Sequence, residues 1–170
     1  MPDRRSHRGP HPEDERLFHS AALPDLRSGV ADLRWLLSRG YAVASAVKLV
    51  GDCYGLDRRQ RLAVARCAAA DEAIAAREAR RLELDQVPGA PLAIDGYNLL
   101  TTIEAALGGC VILLGRDGCC RDMASMHGTY RKVSETMPAI ELIGRAISAL
   151  SPRGVHWLLD SPVSNSGRLA

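Results

Sequence analysis

The sequence predicts an α/β protein in which an all-α helical domain precedes a domain built on a mostly parallel sheet. Two observations lead to this prediction. The first half of the chain carries apolar residues at helical spacing, interrupted by glycines and capping residues. In the second half, the apolar runs Pro91–Asp95 and Val155–Asp160 each end in an aspartate, with helical patterns between them. Strands that alternate with helices favour parallel pairing, because a parallel connection needs a crossover.

Four segments are predicted along the chain. A tail rich in proline, arginine and histidine covers residues 1–12 and is expected to be disordered. The helical domain covers residues 13–83. Proline and glycine then mark a linker over residues 84–90. The α/β domain covers residues 91–170.

Capping signals place the helices of the first domain. An acidic first turn follows Pro12 and indicates a short helix. Gly40 and Gly55 end two apolar helical patterns, and Asp57 caps a further helix rich in alanine and arginine. The predicted helices after the short one are Leu26–Ser38, Ala42–Tyr54 and Asp57 to about Arg81.

Glycines also separate the elements of the second domain. Gly108 and Gly109 end a helix that follows the first strand, and the segment 115–118 has the chemistry of a hairpin turn. The predicted elements are a strand at Pro91–Asp95, a helix at Tyr97–Leu107, a strand at Cys110–Leu114, a return strand at Cys119 and Cys120, a helix from Met123 to about Leu150, and a strand at Val155–Asp160.

Asp95 and Asp160 are the candidate catalytic residues and metal ligands. Each ends an apolar strand, and the carboxyl ends of parallel neighbouring strands lie at one edge of a sheet. Two carboxylates held together repel, and a hard divalent cation such as Mg²⁺ or Mn²⁺ relieves this. Such a site can activate water against a phosphodiester. The alternative role of a strand-end aspartate, as a helix cap or turn former, stays open.

Polar residues near the two aspartates are candidate substrate-binding groups. They can bind phosphate through side chains and helix-start N–H groups, or they can act as ordinary caps and loop formers. The orientation of Glu104, further along the first helix of this domain, is undetermined; it faces either the sheet edge or solvent. The candidates for substrate binding are Asn98, Ser164, Asn165, Ser166 and Arg168.

A helix-turn-helix pattern in the helical domain is the candidate nucleic-acid contact. Arg58, Arg59 and Arg61 lie in the opening turn of its second helix, where a recognition helix presents side chains to nucleic acid. Plain packing of two helices around a glycine turn accounts for the same pattern.

Composition narrows the classes of function. The net charge of +2 is no nucleic-acid signature, and 4% aromatic residues disfavour base-stacking platforms. No apolar run approaches the ~20 residues of a membrane span, so no membrane partner is expected. Five cysteines without a CxxC pair indicate free thiols in the cytoplasm. Whether the chain forms a homo-oligomer is left open.

Two resemblances add to these predictions. The segment Ile94–Leu99 resembles the opening strand of PIN-like and NYN nucleases, in which an Asp-Gly-aromatic-Asn sequence begins a metal site. A wider set of segments resembles the prokaryotic family called domain of unknown function 434. These segments are Arg8–Asp14, Leu36–Tyr41, Lys48–Asp52, Arg116–Cys119 and Leu159–Arg168.

The PIN-like resemblance implies a three-layer α/β fold and a metal-dependent endoribonuclease. It implies that Asp95 is the first metal-binding carboxylate and Asp160 a second, with Glu104 a further member, and that RNA is the partner. PIN-like domains continue with another strand and further acidic residues, so a C-terminally truncated, inactive chain is part of the expectation. The alternative function is a non-catalytic nucleic-acid-binding or adaptor protein that uses the N-terminal helices.

Overall fold

The computed structural model describes residues 9–123 and 130–160. These residues form two units. The helical unit comprises His11–Arg81 and Ile112–Met123. The α/β unit comprises Leu82–Val111 and the described residues from 130 onward, together with Gly9 and Pro10. A mixed α/β protein with N-terminal helices and a small parallel sheet is thereby confirmed.

The helices and strands alternate less regularly than the sequence predicts. In chain order they are α1 (Asp14–Leu17), α2 (Leu23–Leu37), α3 (Val43–Cys53), α4 (Arg58–Cys67), α5 (Asp71–Glu78), β1 (Pro91–Asp95), α6 (Gly96–Leu107), β2 (Leu113–Leu114), β3 (Cys120–Arg121), α7 (Thr136–Leu150) and β4 (Gly154–Leu158).

Helix α2 contributes the largest share of the core of the helical unit and packs against both α3 and α4. The apolar residues that recur at helical spacing along α2 form a buried face, and Leu33 within it is completely enclosed. Burial of a leucine side chain contributes about 1.5–3 kcal/mol, so this face is a main source of stability for the unit. The buried core residues are Leu26, Leu33, Leu36, Ala46, Val50, Leu56 and Val64.

The single long helix predicted from Asp57 to Arg81 is wrong. Helix α4 ends at Cys67 and α5 begins at Asp71. The break depends on tertiary contacts, because the Asp71 N–H donates to Ser38 Oγ at 3.0 Å and its carboxylate accepts two hydrogen bonds from Arg34 at 2.5 and 2.7 Å. No glycine or proline lies between the helices, so the sequence carries no local signal for the break.

The predicted hairpin exists, but it packs with the helices. Strands β2 and β3 pair antiparallel across the turn at 115–118. The Arg116 N–H donates to the Cys67 carbonyl at 3.0 Å, and Asp117 accepts a hydrogen bond from Arg77 at 2.5 Å. The hairpin, which lies within the α/β domain predicted over residues 91–170, falls in the helical unit.

The sheet of the α/β unit contains β1 and β4, which pair in parallel. Helices α6 and α7 contact each other and form the core of the unit. The Tyr97 and Tyr130 rings lie within this core, with centroids 5.3 Å apart and planes tilted by 42°. The other buried members are Leu100, Ala139 and Ile143.

Helix α7 is shorter than predicted. It begins at Thr136, whereas residues 130–133 are not helical. Pro138 therefore lies in the first turn, where a missing N–H breaks no helical hydrogen bond, rather than at an internal bend. Residues 124–129 of that predicted helix lie outside the described residues, as do the predicted disordered residues 1–8 and the predicted loop at 161–167.

Candidate functional site

Asp95 and Asp160 follow neighbouring parallel strands at the same edge of the sheet. In the register of the two strands, Asp95 lies opposite Leu158, and Asp160 comes two residues later. Both aspartates are exposed. Parallel strands have their carboxyl ends at one edge, so the pairing brings both residues to the same side of the unit.

The Asp95 carboxylate does not cap its helix. Asp95 occupies the N-cap position of α6, yet its side chain makes no capping hydrogen bond. Its Oδ2 instead accepts a hydrogen bond from Asn98 Nδ2 at 2.7 Å. Among the described residues, the amide oxygen of Asn98 has no hydrogen-bond donor, and this side chain is exposed. The capping role that sequence reasoning left open for Asp95 is therefore not the one the structure adopts.

Gly96 allows the start of α6 to approach β4. A Cβ at this position would lie 2.7 Å from Leu159 Cδ2, 3.0 Å from Trp157 Cε3 and 3.1 Å from the Leu158 carbonyl oxygen. These separations are shorter than van der Waals contact, so a side chain here would require Leu159 to change conformation and the Trp157 ring and Leu158 carbonyl to shift. The glycine after the first aspartate is thus required by close packing at the site itself.

The environment of Tyr97 links Asp160 to the same helix start. The ring is buried, and its hydroxyl has no hydrogen-bond partner within the described residues. Burial raises the pKa of Tyr97, and the negative charge of Asp160 raises this pKa further. The charge of Asp160 therefore acts on Tyr97, which lies in the first turn of α6, two residues after Asp95.

Glu104 belongs to the core rather than to the sheet edge. It follows Gly96 by eight positions, which is about 12 Å along a helix that rises 1.5 Å per residue. Its side chain is fully buried, and its Oε1 accepts hydrogen bonds of 2.6 Å from both the Tyr130 hydroxyl and Thr136 Oγ1. This network ties α6 to the start of α7. The prediction that Glu104 faces either the sheet edge or solvent is therefore wrong.

Few side chains that could bind a metal ion lie together in the part of the chain that the structure describes. No group of three or more histidine, cysteine, aspartate or glutamate side chains there is arranged to hold a metal ion. The five cysteines are free thiols. The predicted substrate-binding residues Ser164, Asn165, Ser166 and Arg168 lie outside the described residues.

Two of the three arginines predicted to contact nucleic acid make internal contacts. Arg59 donates two hydrogen bonds, at 2.5 and 2.9 Å, to the buried carboxylate of Asp14. Arg61 donates to the Leu56 carbonyl at 2.7 Å and to Asp52 at 2.8 Å. Arg58 is exposed, and no ion pair involves it in the described residues. The turn at this helix start thus supports packing, and nucleic-acid contact through it stays a prediction.

Glycine makes room for one of these arginines. A Cβ on Gly51 would lie 2.5 Å from Arg61 Nε, so only glycine lets the guanidinium lie across α3.

None of the helices in residues 9–123 and 130–160 has the length and apolar character needed to cross a bilayer.

The two units match two family models. Residues 25–80 match the family described as Protein of unknown function (DUF434), which confirms that resemblance for the helical unit. The chain belongs to the family described as Domain of unknown function (DUF5616), whose model matches residues 84–170, half of its length. The segments Arg116–Cys119 and Leu159–Arg168, which resembled the former family, fall within the latter match.

The chain is similar to a protein of Methanocaldococcus jannaschii. The chain is 31% identical over 139 residues to an uncharacterised protein of Methanocaldococcus jannaschii. The match covers 82% of this chain and 66% of the relative, so the chain spans just under two thirds of the relative's length. No solved structure is significantly similar to this chain.

Proposed function

We propose that the α/β unit is a PIN-like domain that hydrolyses RNA phosphodiesters with a divalent metal ion, and that its substrate is cytoplasmic RNA. One observation carries the proposal: two exposed aspartates follow paired parallel strands, and the first of them does not cap its helix. An exposed carboxylate without a structural role at a strand end is available to bind a ligand.

The donor atoms suit a hard cation. Asp95 and Asp160 offer carboxylate oxygens, and Asn98 offers an amide oxygen beside them. Mg²⁺ prefers oxygen ligands, and proteins often bind it through one or two carboxylates while water and substrate phosphates complete the shell. A pair of aspartates without a third acid in the described residues fits this mode. Glu104 is omitted from the proposed site because it is fully buried in the core.

The residues around Asp95 would prepare it for this role. The hydrogen bond from Asn98 holds one carboxylate oxygen and restrains the side chain, which lowers the entropy lost on binding. Since Asp95 does not cap α6, the first N–H groups of this helix remain oriented toward its N-terminus, where they favour a phosphate. When bound between the two carboxylates, a divalent cation supplies water activation and neutralises charge on the phosphodiester.

Metal binding and RNA cleavage test the proposal on the full chain. Binding of Mn²⁺ is measured by electron paramagnetic resonance, and cleavage of labelled single-stranded RNA is followed with Mg²⁺, with Mn²⁺ or with a chelator. Asp95→Asn and Asp160→Asn should each weaken Mn²⁺ binding about tenfold or more, because each removes one charged ligand. Both variants should also abolish metal-dependent cleavage.

An exposed acid elsewhere in the unit provides the matched control. Asp85 forms no ion pair within the described residues, so Asp85→Asn removes the same charge without touching the sheet edge. This variant should bind Mn²⁺ and cleave RNA as the wild type does. Cleavage that persists in the chelator, or equal Mn²⁺ binding by all variants, would contradict the proposal.

A further inference from the structure

The helical unit contains a cavity of about 220 Å³ at the junction of α4, α5 and the hairpin. One wall is the end of α4 and the segment after it, Ala65–Ala69, in which four of the five residues have small side chains. Arg77 of α5 and the hairpin residues Asp117 and Arg121 form the other wall. Cavities for drug-sized ligands measure about 300–1,000 Å³, so this one suits a single small group.

Positive charge predominates in this cavity. Three arginines, Arg66, Arg77 and Arg121, line it together with a single acidic residue, Asp117. Asp117 Oδ2 accepts hydrogen bonds from Arg77 at 2.5 Å and from Arg121 at 2.6 Å, and its side chain is only 4% exposed. Asp122 Oδ1 lies 3.7 Å from Arg66 Nη1, and the Asp122 carbonyl accepts a hydrogen bond from the same nitrogen. The three arginines and two acids together therefore carry one net positive charge.

Arg77 and Arg121 keep donors that the hydrogen bonds within the described residues do not use. Arg77 donates only through Nη1 within the described residues, and over half of its side chain is exposed. Arg121 donates through Nη1 and Nη2, and its Nε makes no hydrogen bond in the described part of the chain. The planar fork of guanidinium N–H groups matches the oxygens of a phosphate, whereas a cation would meet net repulsion.

We propose that this cavity, the arginine pocket lined by Arg66, Arg77 and Arg121, binds a phosphate group. Two sources share that chemistry, namely free inorganic phosphate and a phosphate of a nucleic-acid backbone. The proposal does not depend on RNA hydrolysis, because the arginine pocket belongs to the helical unit and includes neither Asp95 nor Asp160.

Calorimetric titration of the full chain with inorganic phosphate tests the pocket, with ionic strength held constant by chloride. Arg77→Gln should weaken phosphate binding about tenfold, since it removes charge-assisted hydrogen bonds. Arg77→Lys keeps the charge but loses the planar fork of N–H groups. Its affinity for phosphate should therefore lie between those of the wild type and Arg77→Gln. Asp117 retains Arg121 in both variants, and thermal unfolding followed by circular dichroism checks their fold.

Matched variants and a competitor complete the experiment. Arg27→Gln removes an exposed arginine of α2 and should bind phosphate as the wild type does. Single-stranded RNA that displaces phosphate would identify the backbone as the source, and RNA that does not would identify the free ion. No phosphate binding beyond that in chloride, or equal binding by Arg77→Gln and Arg27→Gln, would overturn the proposal.

Discussion

Replacing Asp117 with asparagine should destabilise the helical unit. Its carboxylate accepts three guanidinium hydrogen bonds, at 2.5, 2.6 and 2.8 Å, and a weaker one from the Cys119 N–H at 3.3 Å. These contacts connect α5 to the hairpin. Asparagine has nearly the same shape, but it loses the negative charge and turns an N–H₂ group toward one of the arginines.

The size of the effect follows from the burial of the group. Breaking a buried ion pair costs about 3–5 kcal/mol. Asp117 is almost fully enclosed, but its partners Arg77 and Arg121 are 54% and 30% exposed, so water takes over part of their solvation. Charge-assisted hydrogen bonds contribute about 1.5–3 kcal/mol and are not additive within a network. We therefore expect Asp117→Asn to lower the free energy of unfolding by about 2–3 kcal/mol.

The effect should depend on pH in a definite direction. Hydrogen bonds from Arg121 lower the pKa of Asp117, and this outweighs its burial, which raises the pKa. A lowered folded-state pKa gives stability that is present above the unfolded pKa and is lost as the pH falls through the folded pKa. The difference between wild type and Asp117→Asn should thus be constant near neutral pH and shrink below about pH 4.

Urea unfolding monitored by tryptophan fluorescence measures this difference within one unit. Trp35 and Trp157 are the two tryptophans, and they lie in the helical and α/β units respectively. A Trp157→Phe background therefore makes the signal report the helical unit. Glu78→Gln, at an exposed position of α5 in the same unit, serves as the control for exchanging a carboxylate for an amide. A difference below about 0.5 kcal/mol at neutral pH, typical of surface changes, or one that grows as the pH falls, would refute the reasoning.

Two further substitutions test the α/β unit, each followed by Trp157 fluorescence in a Trp35→Phe background. Gly96 is the first residue of α6, so Gly96→Ala gains less helix propensity than the about 1 kcal/mol of an interior position. It loses about 1–3 kcal/mol to overpacking against Leu159 and the Leu158 carbonyl, so it should destabilise the unit and weaken Mn²⁺ binding. Stabilisation would show that the close contact is relieved freely. Tyr130→Phe removes one of the two donors to Glu104 Oε1 and leaves that of Thr136, and it should cost about 1–3 kcal/mol, whereas unchanged stability would mean that the Tyr130 hydrogen bond adds nothing net.

Local sequence signals predicted the elements whose ends they mark. The apolar run that ends at Asp95 is β1, and Gly108 follows the last residue of α6 as predicted. The glycines at 40 and 55 have the positive φ angles that end helices. These features depend on a few neighbouring residues, because backbone conformation there is fixed by steric limits and capping rather than by distant contacts.

The breaks and partners of elements required contacts that are distant in sequence. Helix α4 ends where Asp71 is bound by Ser38 and Arg34, which lie more than 30 residues earlier. The hairpin joins the helices because Asp117 meets Arg77. The sequence gives the chemistry of each of these side chains, but it does not give the pairing.

For the candidate site, the sequence alone identified Asp95, Asn98 and Asp160 by residue type and position after apolar runs. Only the tertiary structure decided that β1 and β4 are parallel neighbours, that Asp95 is held by Asn98 without capping its helix, and that Glu104 is enclosed in the core. The physical reason is that strand-end position follows from local hydrophobic pattern, whereas burial, partner choice and sheet register are set by packing between segments about 60 residues apart.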